Sequence, residues 1–161
     1  MFDKLTFGAF ITASLLALTN FNAAGDNAYW NITRDPVSGY IYMDPISGSH
    51  EQTVIFLHGY SGDATNFEKI FADDLEAPTN TRIILPQAPM RWNPIWGGKY
   101  THSWWTLTAN PAILKDLNDY SPFFNQTEIM NTTDFFNSII ETERLKFSDG
   151  DSRRIFIGGM S

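Results

Sequence analysis

Apolar and polar positions alternate between two periods along this chain, and the changes of period mark its elements. Thr53-Val-Ile-Phe-Leu57 is a continuous apolar run, the pattern of a strand buried on both faces. Thr81-Arg-Ile-Ile-Leu85 is a second such run, stopped by Pro86. Arg154-Ile-Phe-Ile157 is a third, leading into Gly158-Gly159-Met160-Ser161. Helical periods lie between them. From Ala64 the apolar residues Phe67, Ile70, Phe71 and Leu75 share one face. Asp63 or Thr65 can cap that helix, Thr65 through a capping box with Glu68. From Gln126 to about Lys146 a longer helix is expected, capped by Asn125 with Glu128 at the box position. Ile129, Phe136, Ile140 and Glu143 fall at helical spacing, Phe135 and Ile139 broaden the apolar face, and Asp149-Gly150 ends the helix.

Ahead of these, Ala28-Tyr-Trp-Asn-Ile-Thr33 and Tyr40-Ile-Tyr-Met43 read as strands joined by a turn at Gly39, an edge hairpin. Gln87 to Tyr120 is rich in Pro, Gly, Asn and Trp and reads as a long irregular segment, of the kind that carries function. The order is hairpin, strand, helix, strand, loop, helix, strand. Buried strands alternating with helices predict an α/β domain with a mostly parallel sheet.

The first residues change the picture of where the chain resides. Lys4 precedes the apolar run Phe7–Leu18, and small residues follow at Ala23 and Ala24. Residues 1–24 therefore read as a signal peptide and 25–161 as the folded domain, secreted or in the lumen of the secretory pathway. An uncleaved interfacial anchor or a buried helix is the other reading. The apolar run falls short of the roughly 20 residues that span a bilayer, so no transmembrane span is expected in the mature chain. Three sequons fit export, at Asn31, Asn125 and Asn131, although each asparagine also suits a turn or a cap.

The chain carries 11 basic and 18 acidic residues, a net charge of −7, with no long basic run. That argues against nucleic acid or an anionic membrane surface as the main partner. There is no cysteine, hence no thiolate nucleophile and no cysteine-ligated metal. Asp149-Gly150-Asp151 lacks the following glutamate of a calcium loop and reads as a turn. No metal site is expected.

Two places suggest chemistry. His58-Gly59-Tyr60 follows a buried strand, where the Tyr60 backbone N–H can serve a developing oxyanion while His58 and Gly59 shape the loop. A turn glycine beside a satisfied histidine is the plain alternative. Gly159-Met160-Ser161 follows another buried strand, and small residues permit a tight strand-to-helix turn presenting a serine. His102, in the aromatic segment, reads as a polar loop residue rather than a base. Trp92, Trp96 and Trp105 are candidates for an apolar substrate pocket; Trp104 reads as structural.

Together these segments resemble the phospholipase/carboxylesterase family that includes the acyl-protein thioesterases. The resemblance lies in Val54-Ile-Phe-Leu-His-Gly59 with Gly62-Asp63, in Ile83-Ile-Leu-Pro-Gln-Ala-Pro89, in Ser103-Trp-Trp105 and in Arg154-Ile-Phe-Ile-Gly-Gly-Met-Ser161. It covers about Thr53 to Ser161. It implies the N-terminal portion of an α/β-hydrolase sheet with an N-terminal edge hairpin, incomplete as it stands. It also implies hydrolysis of small-molecule or lipid carboxylic esters or thioesters through an acyl-enzyme on Ser161, without metal or organic cofactor. The family has Asp where Thr106 stands, and its triad aspartate and histidine follow the serine. The polypeptide Met1–Ser161 has neither, and is expected to be inactive by itself. A non-catalytic binding protein on the hydrolase scaffold, or a peptidase of the same fold, is the alternative.

Overall fold

The structure is a computed structural model that describes residues 29–46, 48–73, 80–95, 97–108 and 124–160. The expected signal peptide 1–24, Leu75, Trp96 and Ser161 lie outside the described residues. Strands β1 (Trp30–Arg34), β2 (Ile41–Pro45), β3 (Gln52–Leu57) and β4 (Thr81–Leu85) come first, with helix α1 (Ala64–Asp73) between the last two. Then follow β5 (Met90–Asn93), β6 (Lys99–His102), α2 (Gln126–Arg144), a single 3-10 turn (Ser152–Arg154) and β7 (Ile155–Gly159).

Five strands form one sheet in the order β1-β2-β4-β3-β7. The β1/β2 and β2/β4 pairs are antiparallel; β4/β3 and β3/β7 are parallel. The sheet is therefore mixed, with a parallel centre and the expected hairpin at one edge. This is an α/β-hydrolase-like sheet. Both crossovers between parallel strands contain a helix, because a parallel pair needs a long connection.

Register decides which residues meet each helix. Ile41 pairs with Leu85, Met43 with Ile83, and Ile83 with Val54, which puts these residues on one face. There they bury around Ala64 and Phe67 of α1, with Trp30, and Phe56 and Phe71 pack beside them. Trp30 Nε1 donates to Phe71 O at 3.2 Å and Arg34 forms an ion pair with Glu68, so the hairpin is bound to α1. Glu68 is thus spent on Arg34 and the Thr65–Glu68 capping box does not form. Asp63 Oδ1 accepts the Thr65 N–H at 2.8 Å instead, and Gln87 Oε1 accepts the Ala64 N–H at 2.9 Å. Ile70, expected in the core, is 40% exposed.

The opposite face meets α2. Its N-cap Asn125 accepts the Glu128 N–H at 3.2 Å, as the sequence suggests. Glu128 does not reach back to complete a box; it takes Arg91 Nη1 at 2.9 Å and the Thr106 N–H. Glu143 is buried on this face among polar partners: Thr53 Oγ1 donates to it at 3.3 Å, Lys146 pairs with it, and Arg82 Nε lies 3.7 Å away.

The segment from Gln87 was expected to be irregular. Its first part is a hairpin, β5 and β6 antiparallel with Trp92 opposite Tyr100. Gly97 (φ 87°) and Gly98 (φ 63°) make the turn in the left-handed region, which glycine enters without penalty. Four-residue strands mixing Arg, Asn, Lys and Thr with aromatics show little period to read.

Candidate active site

The parallel pairing of β3 with β7 brings the two sequence motifs together. Leu57 pairs with Gly159, and the Met160 N–H donates to Leu57 O at 3.1 Å. The loop after β3 and the residues after β7 therefore emerge side by side, as ligand-binding loops do at the carboxyl ends of open α/β sheets. They open on a cleft of about 490 Å³. His58, Gly59, Tyr60, Gly159 and Met160 lie on one side of it; Trp105, Leu107, Phe124 and Phe136 make it apolar.

Several backbone groups of the His58 loop are held by hydrogen bonds. The His58 ring is 2% exposed and makes two backbone contacts. Nε2 accepts the Ala88 N–H at 3.0 Å, so the proton is on Nδ1, which donates to Gly59 O at 2.8 Å. Burial holds the imidazole below its usual pKa, only partly opposed by the bond to Gly59 O. A neutral ring with both nitrogens used is a structural brace, not a base. The Trp104 indole N–H donates to His58 O at 2.8 Å. Gly62 N donates to Gly59 O, and Ser61 N to His102 O, each at 3.0 Å.

The turn opens at Gly59, whose carbonyl accepts the Gly62 N–H, and its left-handed residue is Ser61. Ser61 has φ 60°, a left-handed conformation with a cost for a residue with a Cβ. Gly62 is the glycine the bend requires, because a Cβ there would come within 3.1 Å of the His58 ring.

Trp104 links the site to α2. Its carbonyl accepts the Thr132 hydroxyl at 2.6 Å, and its ring packs on Phe136 at 5.0 Å and on the His58 ring at 5.0 Å. Trp105 lines the apolar cleft, whereas Trp92 does not: it stands on the outer face of the β5–β6 hairpin, 52% exposed. Trp96 and Ser161 lie outside the described residues. Leu107, Phe124 and Met160 join the cleft without having been singled out from sequence; lone apolar residues at element ends carry no period to reveal them. Asn31, Asn125 and Asn131 are all exposed. Among the described residues no three His, Asp or Glu side chains gather as a metal site.

Comparison with known proteins bears on this arrangement. The family described as Phospholipase/Carboxylesterase matches residues 43–161, which include both motifs and most of the sheet. The chain belongs to that family. A solved relative in fold is the Zea mays acyl-protein thioesterase 2, with a TM-score of 0.55 at 20% identity. The match covers 76% of this chain and 46% of the thioesterase, so the chain spans less than half the length of that protein. At that identity the likeness establishes the fold alone, and the family's α/β-hydrolase architecture agrees with the sheet order described above.

Proposed function

We propose that the protein is a carboxylic ester or thioester hydrolase in which Ser161 is the nucleophile. One observation carries this reading: the β3 loop and the residues leading to Ser161 meet at the same apolar cleft, joined by the Met160–Leu57 hydrogen bond. Ser161 Oγ attacks the carbonyl carbon, and the Tyr60 N–H takes up charge on the carbonyl oxygen. The alcohol or thiol leaves and an ester to Ser161 remains until water releases the acid. His58 is excluded as the base by its bonding, so the base and its carboxylate partner are assigned to chain beyond Ser161, in the order usual for this fold. Trp105, Leu107, Phe124 and Phe136 supply an apolar seat for the acyl group. The N-terminal segment supports export as part of the same proposal.

The test has two arms. The polypeptide Met1–Ser161 is assayed with p-nitrophenyl butyrate and an acyl thioester, and shows no turnover above its Ser161→Ala control. A gene product containing sequence downstream of Ser161 shows turnover that Ser161→Ala abolishes. Absence of Ser161-dependent turnover in that product, with a fluorophosphonate failing to label it, sinks the hydrolase reading in favour of a binding protein.

A further inference from the structure

A second cleft, of about 480 Å³, lies on the other side of Trp104. Tyr40, Met90, His102, Asn131 and Phe135 line it, along with Trp104 itself. Its charges are already satisfied. Arg91 is held by Glu128 and donates through Nε to Ser103 O at 3.2 Å. The Tyr40 hydroxyl is kept neutral, its pKa pushed up to about 12 by burial with Tyr42 and Asp35 adding. The cleft thus offers aromatic surface, an amide and a neutral hydroxyl, which suits an uncharged polyhydroxylated ligand.

The β5–β6 hairpin borders the cleft through Met90, Arg91 and His102. Met90 pairs with His102 at its mouth, and Trp92 with Tyr100 two positions along the same face, about 7 Å farther out. Trp92 and Tyr100 are 52% and 69% exposed, with ring centroids 5.4 Å apart. Gly98 backs the indole so closely that a Cβ there would lie 2.8 Å from it. An aromatic pair held this firmly and left in solvent has a surface to offer.

The occupant is indicated by the cleft's own wall. Asn131 is exposed on α2 and begins the sequon Asn131-Thr132-Thr133. We propose that Asn131 carries an N-linked glycan and that its first sugars lie in this cleft, stacked toward Trp92 and Tyr100. The proposal rests on export of the chain and is independent of the hydrolase chemistry. In the transfer, Asn131 Nδ2 forms a bond to the anomeric carbon of a lipid-diphosphate-linked oligosaccharide. The bond from that carbon to the phosphate oxygen breaks, Nδ2 loses a proton, and the lipid diphosphate leaves. In the folded helix the Thr133 hydroxyl donates to Ile129 O at 3.0 Å, so modification precedes closure of α2.

The chain is expressed through a eukaryotic secretory pathway. Digestion with peptide N-glycosidase in ¹⁸O water after denaturation is expected to convert Asn131 to labelled Asp. An unlabelled Asn131 overturns the modification. In the native protein, release at Asn131 is expected to be about tenfold slower than in Trp92→Ala/Tyr100→Ala, because a seated sugar must first open. Tyr100→Ala alone, which leaves Trp92 backed by Gly98, gives an intermediate rate if the double variant misfolds by circular dichroism. Equal native rates in wild type and the folded variants overturn the seat while leaving the modification standing.

Discussion

His58 Nε2 accepts the backbone N–H of Ala88 at 3.0 Å, and this bond, with that from the Ala64 N–H to Gln87 Oε1, joins the chain after β3 to the chain leaving β4. The ring can accept there only while it is neutral. Protonation would set an N–H against an N–H, and burial, which disfavours the charged ring, independently lowers its pKa.

Stability should therefore fall on mild acidification. Above about pH 6.5 His58 is neutral in both the folded and unfolded chain, and its contribution is whole. As pH drops below that value the unfolded chain binds a proton that the fold refuses, so stability declines until the lowered folded pKa is reached. His50, also lowered chiefly by burial, acts in the same direction. Asp63 and Asp151, both with lowered pKa, lose their contributions only at more acid pH, below the usual carboxylate range. Thermal melts between pH 7.5 and 5 should show a falling midpoint, with a smaller fall in His58→Asn. An equal fall in that variant would remove His58 from the account.

Trp104→Phe keeps most of the ring against Phe136 and His58 but deletes the donor to His58 O. The loss should be about 0.5–1.5 kcal/mol in urea unfolding, the net value of a single hydrogen bond, or more if His58 O stays dry and unpaired. Trp104→Ala should cost about 3–5 kcal/mol, because it opens a cavity between α2 and the β3 loop. A Trp104→Phe variant as stable as wild type would show that the indole N–H has no separate role.

How far these parts were legible follows from where they lie. The runs at Thr53–Leu57 and Thr81–Leu85 match β3 and β4 to within a residue, because strands covered on both faces are apolar without interruption. The β5–β6 hairpin was hidden because each strand is four residues long, and it turns Trp92 and Tyr100 outward. Trp92 could be read as a pocket residue from its size alone; only the register with Tyr100 shows that it faces away from the apolar cleft. Glu68 and Glu128 satisfied a local capping rule in sequence, yet arginines distant in the chain, Arg34 and Arg91, claim them. The meeting of the two motifs depends on β3 and β7 being neighbours, and about a hundred residues separate Thr53 from its partner Ile155.

Glu143 offers a test of the opposite end of the sheet. It is 2% exposed, with Lys146, Arg82, His50 and Thr53 around it. Arg82 Nε, at 3.7 Å, is beyond hydrogen-bond range, so its attraction to the carboxylate is purely coulombic. Glu143→Ala takes the carboxylate from Lys146 and Arg82 and leaves an apolar gap, but Arg82 keeps Asp44 at 3.3 Å, so the cost should be about 1–3 kcal/mol. Glu143→Met, which fills the volume but not the charge, should recover only part of that. Chemical denaturation of the three proteins measures both. A Glu143→Ala variant within about 0.5 kcal/mol of wild type, the usual range for a surface change, would mean that the cluster is solvated and energetically idle.

Gly158 and Gly159 are adjacent but should not tolerate a methyl group equally. A Cβ on Gly159 would lie 3.0 Å from Leu57 O, the backbone oxygen that accepts the Met160 N–H. Backbone in a parallel pair cannot step aside alone, so the added methyl pushes β7 from β3 and lengthens that bond. A Cβ on Gly158 would meet the Phe56 ring at 3.0 Å, and a ring can tilt, although Phe67 and Phe71 limit how far. Gly159→Ala should therefore lose about 1–3 kcal/mol, the range for overpacking, and Gly158→Ala less. In a gene product extending past Ser161, Gly159→Ala should also lose ester turnover out of proportion to its stability, because it displaces the residues that lead to the nucleophile. Equal effects of the two substitutions on stability and turnover would show that β7 moves freely against β3, and that the Met160–Leu57 bond does not set the position of the site.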